Sequence, residues 1–282
     1  MKKLIMLILC TSSLSYGMSG KLLLTSGVTQ IEGAAGGGIT PWAFITGHGT
    51  ADEVGASVSS TETRTSDFEI KNQSVSVGFY DRVELSYGQL VFNTLDVGSD
   101  LGVGDGFKIQ QNIIGLKVRL YGNGVLDQDS YIPQISIGAQ VKENQEEGLT
   151  QAVNADSNKG DDYYLSLSKI MLEYSFLYNL TLRHTNANQL GVLGFGGDKN
   201  SSKKIFTELS FVYLINPNVA LGVEYREKPN NLSFAKEEAW KDIFIAWQPT
   251  KNISLTLAYA ELGQVTIKEN QNAFYSSLQV GF

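Results

Sequence analysis

Residues 273–282 read AFYSSLQVGF. Phe274, Leu278, Val280 and Phe282 lie two or four residues apart, with Tyr275, Ser277, Gln279 and Gly281 between them. Successive side chains on a strand point to opposite faces, so this stretch specifies a strand with one apolar face and one polar or small face. A half-buried strand of a soluble antiparallel sheet shows the same alternation. Recurrence, and the way the repeats are joined, must decide between the two settings.

The alternation recurs along the chain. It marks about a dozen strands, near residues 42–49, 67–80, 82–94, 106–121, 131–144, 160–171, 174–185, 203–215, 218–228, 240–249, 252–262 and 273–282. One face of each is apolar, as in Ile135, Ile137, Ala139 and Val141, or Ile253, Leu255, Leu257 and Tyr259. The other face is Ser, Gly, Gln, Asn or charged. Many of these segments reach the roughly 9–11 residues that a membrane-crossing strand needs.

The connections carry a second pattern, because they alternate short and long. YDR (80–82), LEYS (172–175), NPN (216–218) and QPTKN (248–252) are tight. Between them lie TADEVGASVSSTETRTS (50–66), TLDVGSDLGVGD (94–105), NQEEGLTQAVNADSNKG (144–160), TNANQLGVLGFGGDKNSS (185–202), KPNNLSFAKEEA (228–239) and GQVTIKENQN (263–272). Outer-membrane barrels have short periplasmic turns and longer external loops. Only GNGVLDQDS (122–130) departs from that rule. In RVELSYGQL (82–90), VALGVEYREK (219–228) and ISLTLAYAEL (253–262) a tyrosine ends the apolar set, where an aromatic girdle meets the bilayer interface.

The other end of the chain agrees. Lys2 and Lys3 precede LIMLIL, and small residues follow at Ser15 and Gly17, the layout of a secretory signal cleaved before Met18. Cys10 follows Leu9, where an acylated cysteine would need a small residue, so lipidation is not expected. Removing the leader leaves no cysteine for a disulfide or a thiolate site. No later stretch approaches the roughly 18 apolar residues of a membrane helix. A formal charge of -7 without a basic cluster excludes nucleic acid as a partner.

The expected fold is therefore all-β: a transmembrane antiparallel up-and-down β-barrel of about 12 strands. The expected division is a signal peptide over 1–17, a Gly-rich segment over 18–41 and the barrel over 42–282. Both termini then face the periplasm, in the outer membrane. Phe274, Leu278, Val280 and Phe282 look like the terminal signal read by the barrel-assembly machinery, a partner during insertion. Lipid and lipopolysaccharide are the partners afterwards.

Parity places Glu84, Lys117, Arg119, Lys142, Arg183, Glu208, Glu224 and Arg226 toward the lumen. They read equally as the lining of a polar pore or as a salt-bridge network filling a closed barrel. Gly78, Gly88, Gly115, Gly138, Gly222 and Gly281 share the inward parity and clear space. The segment KLLLTSGVTQIEGAAGGGITPW (21–42) can occupy it, with Gly20 to Thr40 as a plug and the first strand starting after Pro41. Its glycines lack the GK[ST] of a phosphate loop.

His48, in TGHGT, and His184, in LRHTNAN, are two scattered histidines in a Ser-rich and Thr-rich chain, a pattern that chance supplies and that defines no catalytic set. NADSNKGDD (154–162) lacks calcium-loop spacing and reads as a solvated loop. No metal or cofactor is expected, and the enzyme reading leans to no.

GKLLLTSGVTQIEGAAGGGITPWAFITGHGT, YDRVELSYGQ, NIIGLKVRLYG, ANQLGVLGFGGDK, VALGVEYREKPNNL and SLTLAYAELG resemble an uncharacterised Gram-negative envelope family, the domain of unknown function 3034. The resemblance spans nearly the whole mature chain and implies an outer-membrane setting. It brings no catalytic or binding residues with it. The function expected is a channel or transporter for small polar solutes. A closed structural or interaction barrel and a lipid-modifying outer-membrane enzyme stand as alternatives.

Overall fold

The computed structural model describes Lys21 and residues 27–282, so the expected leader over 1–17 and most of 18–26 lie outside the described residues. A two-residue hairpin, β1 (Val28–Thr29) with β2 (Ala35–Gly36), comes first. Twelve strands then form one closed antiparallel barrel. They are β3 (Val54–Arg64), β4 (Glu69–Phe79), β5 (Val83–Asn93), β6 (Lys108–Tyr121), β7 (Gln134–Asn144) and β8 (Lys159–Met171). The circle continues with β9 (Phe176–Thr185), β10 (Lys204–Asn216), β11 (Val219–Arg226), β12 (Trp240–Thr250), β13 (Ile253–Val265) and β14 (Lys268–Gly281). Each strand pairs with its neighbours in sequence, and β14 closes on β3 through Val58↔Val280 and Ser60↔Leu278.

Burial follows the alternation strand by strand. On β5, Glu84, Ser86, Gly88 and Leu90 are buried while Leu85 and Tyr87 are exposed. Large apolar side chains stand in the open on the outer face, among them Ile114 and Leu257, each 60% exposed. A continuous apolar skin of this extent is costly against water and favourable against lipid tails. Tyr87, Tyr163, Tyr259 and Phe274 ring one edge of it, and Tyr121, Tyr213, Trp247 and Phe282 the other. An 11-residue strand such as β4 tilted by about 40° spans roughly 25 Å, the height of such a skin.

Two expectations about the strands require correction. Residues 42–49 form no barrel strand; they lie inside the barrel, and the first wall strand is β3, within the stretch read as a long loop. Ser57, Ser59, Thr61 and Thr63 are its inward row, and Val54, Ala56 and Val58 its outward one. An inward face made of hydroxyls imitates loop composition. Likewise residues 263–272 are strand, with β13 and β14 joined at 266–267, where Thr266 takes a positive φ of 49°. The links at 65–68 and 266–267 are thus short, although they lie on the same end as the long links 94–107, 145–158, 186–203 and 227–239. The opposite end carries 80–82, 172–175, 217–218 and 251–252, with 122–133 as its longer exception.

The lumen is full. Every residue from 27 to 49 is buried. Val28, Trp42 and Phe44 pack on Ile170, Val212, Phe244 and Tyr275 of the wall. Toward the long-loop end Ile31 and Ile39 join Phe68, Phe92, Leu262 and Trp240, and residues Leu190 and Val192 of the 186–203 link fold in over them.

Candidate functional site

The inserted segment is shaped by its glycines and held by polar side chains of the wall. The hairpin turns at Gly33, whose φ of +94° suits a residue without a β-carbon, and the Gly33 N–H donates to Gln30 O at 2.8 Å. A second turn follows, with Gly37 N–H donating to Thr40 O at 2.9 Å and Trp42 N–H to Ala35 O at 3.1 Å. A β-carbon on Gly37 would fall on the Glu224 carboxylate. Few backbone groups of this segment pair within it, so the wall must satisfy the rest.

Glu84 on β5 does so twice. Its Oε1 accepts Ala35 N–H at 3.0 Å and its Oε2 accepts Thr46 N–H at 2.8 Å. Lys117 on β6 lies 3.2 Å from Glu84 and donates to the carbonyls of Ala35 and Phe44, both at 2.9 Å. Across the lumen Glu224 on β11 accepts from Ile39 N–H at 2.8 Å, Thr40 Oγ1 at 2.6 Å and Ser210 Oγ at 2.7 Å. Trp42 Nε1 donates to the same Ser210 hydroxyl at 2.9 Å. Further along, Ala43 O accepts from Gln134 and Ser136, and Pro41 O from Thr181.

A third group is ionic. Glu32, the one charged residue between 27 and 47, is fully buried against three wall cations: Lys142, Arg226 at 2.8 Å and Arg183 at 3.6 Å. Asp162 on β8 stands 2.6 Å from Lys142 and 3.4 Å from Arg183. Glu208 on β10 pairs with Arg183 and lies 3.4 Å from Arg226. Arg183 also stacks over the Tyr164 ring at 5.2 Å. Three cations and three carboxylates balance, the condition under which buried charge is tolerated.

Of the eight residues that parity assigned to the lumen, Glu84, Lys117, Lys142, Arg183, Glu208, Glu224 and Arg226 are buried inside the barrel and touch either one another or the segment. Arg119 is apart, at the short-turn end just before a bulge in β6, paired with Asp81 and donating to Gly122 O at 3.0 Å. The glycines divide. Gly78, Gly88 and Gly281 face the segment, with a β-carbon on Gly78 lying 2.5 Å from Thr46 O, while Gly115, Gly138 and Gly222 make room for Ser86, Tyr164 and Phe244.

Sequence reading missed Glu32, Asp162 and Ser210. Parity alone would have placed Asp162 and Ser210; Glu32 was visible as a lone charge in a Gly-rich run. Asp161 and Asp162 point to opposite faces of β8, Asp161 meeting Lys203 outside, so 154–162 does not converge on an ion. Among the described residues no group of three or more His, Cys, Asp and Glu side chains is placed to hold a metal. The two histidines occupy different settings. His184 is exposed, cross-strand from Tyr163 and Ile205. His48 is buried beside Gly281; burial first, then the charges of Lys251 and Lys21, holds its imidazole below the usual histidine range.

The KdgM porin superposes with a TM-score of 0.53 at 10% identity, over 80% of this chain and 99% of that one. The NanC porin does so with 0.50 at 12%, over 80% and 98%. The outer membrane phospholipase A from Escherichia coli gives 0.44 at 11%, over 80% and 92%. The two porin likenesses establish a porin-type fold. No curated protein matches the sequence. A family model described as "Protein of unknown function (DUF3034)" matches residues 25–279.

Proposed function

This chain belongs to the DUF3034 family, and from that premise we propose that it is an outer-membrane channel for small polar solutes, closed at rest by its own residues 27–49. One observation carries the reading: this run is wholly buried in the lumen, and beside the apolar contacts of Val28, Ile31, Ile39, Trp42 and Phe44 it is held to the wall by hydrogen bonds and ion pairs. Water can replace the polar links one for one, so the net cost of losing them is far below their gross strength. The apolar skin, the aromatic rims and the porin-type fold support the location. The loop asymmetry supports the orientation, with the short turns and both termini toward the periplasm.

A crosslink tests the reading. Thr40 Oγ1 and Ser210 Oγ are 2.6 Å apart, so Thr40→Cys with Ser210→Cys suits a disulfide between segment and wall. Oxidised protein in planar bilayers should be silent, and reduction should bring discrete conductance steps. Silence in both states would sink the channel. It would favour the second reading, a permanently closed structural barrel, which the apolar layer of Leu190, Val192, Phe92 and Leu262 at the long-loop end supports on its own.

A further inference from the structure

Glu32 is presented in an unusual manner. It sits at the tip of the β1–β2 hairpin, next to the Gly33 turn, so the chain reverses there and the carboxylate is its foremost group. It projects among Lys142, Arg183 and Arg226, which come from β7, β9 and β11. Within this cluster the wall alone supplies three cations against two carboxylates, Asp162 and Glu208. The cluster is therefore one negative charge short without the insert. Gln140 adjoins the cluster through Arg183, accepting a 2.8 Å bond from its guanidinium on Oε1, while the Gln140 Nε2 is buried and unpartnered. Two guanidinium groups and an ammonium gathered around one carboxylate make a preformed carboxylate receptor.

We propose that this cluster is the binding site for the carboxylate of a small acidic solute, and that Glu32 occupies it as a built-in competitor in the closed state. The role as a solute site rests on the channel reading above, because an external solute reaches the cluster only when the hairpin withdraws. A solute carboxylate that takes the place of Glu32 keeps the cluster neutral and thereby removes the charge cost of withdrawing the hairpin. The solute thus favours the open form by differential binding, since the closed form has no room for it.

Chemical complementation tests the site independently of conductance. In the full chain refolded in detergent, Glu32→Ala leaves the three cations around a vacated carboxylate position. Acetate should raise the thermal midpoint of Glu32→Ala saturably, by about 3–6 °C, whereas chloride at equal ionic strength and neutral acetamide should not. Wild type should be unmoved by acetate. Equal responses of Glu32→Ala to acetate, chloride and acetamide would overturn the proposal. If Glu32→Ala folds only poorly, refolding yield becomes the readout, and equal yields in acetate and chloride would overturn it in the same way. Adding Arg226→Met must abolish the acetate response; its survival also overturns the site. Acetate rescue in a protein that never conducts, even with the Thr40–Ser210 link absent, would remove the channel and leave the carboxylate site standing. Conductance without rescue would do the reverse.

Discussion

His48 donates its backbone N–H to the main-chain oxygen of Phe282 at 2.9 Å, which ties the last turn of the lumen segment to the end of the strand that closes the barrel. The same oxygen accepts from Ala56 N–H at 3.0 Å, and Phe282 N–H donates to Ala56 O at 2.8 Å. Segment, first strand and last strand therefore meet at one residue. Removing Phe282 should lower the stability of the folded barrel by about 1–4 kcal/mol, the net value of a few backbone bonds, while Phe282→Ala should cost less because it keeps them. Denaturant titration in lipid vesicles compares the two, and equal losses would assign the effect to the ring.

The Glu84–Lys117 pair makes a second case. Each side chain is about 1% exposed, and together they satisfy four backbone groups of the segment. Lys117→Met leaves Glu84 buried without its cation, and should cost about 3–5 kcal/mol. Combining it with Glu84→Gln should recover part of that loss, because no bare charge remains. The double variant's unfolding midpoint above that of Lys117→Met is the expected result.

Gly78 offers a way to disturb the segment from the wall side. A β-carbon there would sit 2.5 Å from Thr46 O and 2.8 Å from Ile45. Gly78→Ala should leave the outer face unchanged and cost about 1–3 kcal/mol through overpacking. The strain is relieved most readily by the segment, so open events in bilayer recordings should become more frequent than in wild type. A variant as quiet as wild type but equally destabilised would mean that the wall yields instead.

Acid should loosen the base of the segment. The folded pKa of His48 is depressed by burial and by Lys251 and Lys21, so the unfolded chain binds more protons in this range. Stability therefore falls as pH drops below the ordinary histidine value of about 6.5 toward the depressed folded value. His48→Gln should lose that part of the pH dependence. Protease sensitivity of the segment, followed from about pH 7.5 to 5 in both proteins, measures it across the histidine range; an identical pH response in both would assign the effect elsewhere.

Much of this was legible in the alternation. Val83, Leu85 and Tyr87 face out and Glu84 faces in because a strand offers no other arrangement, so both the wall and its inward charges follow from parity. The first strand was not legible, because Ser57, Ser59, Thr61 and Thr63 line a filled lumen, where small hydroxyls pack against an insert instead of meeting an apolar core. Composition there is that of a loop. The same cause hid the opposite error: Trp42, Phe44 and Ile45 look like wall because they are apolar, yet they are packed within the barrel. Which charges meet is set by barrel closure and has no local signature, as when Glu32 near the start of the chain meets Arg226 near its end.

The tether from the segment to β3, residues 50–53, lies at the short-turn end, while the 186–203 link roofs the opposite mouth. In the orientation proposed here, the stopper hangs from the cell's own side of the bottle. An agent on the outside has nothing to pull, and any force that empties the neck is exerted from the periplasm.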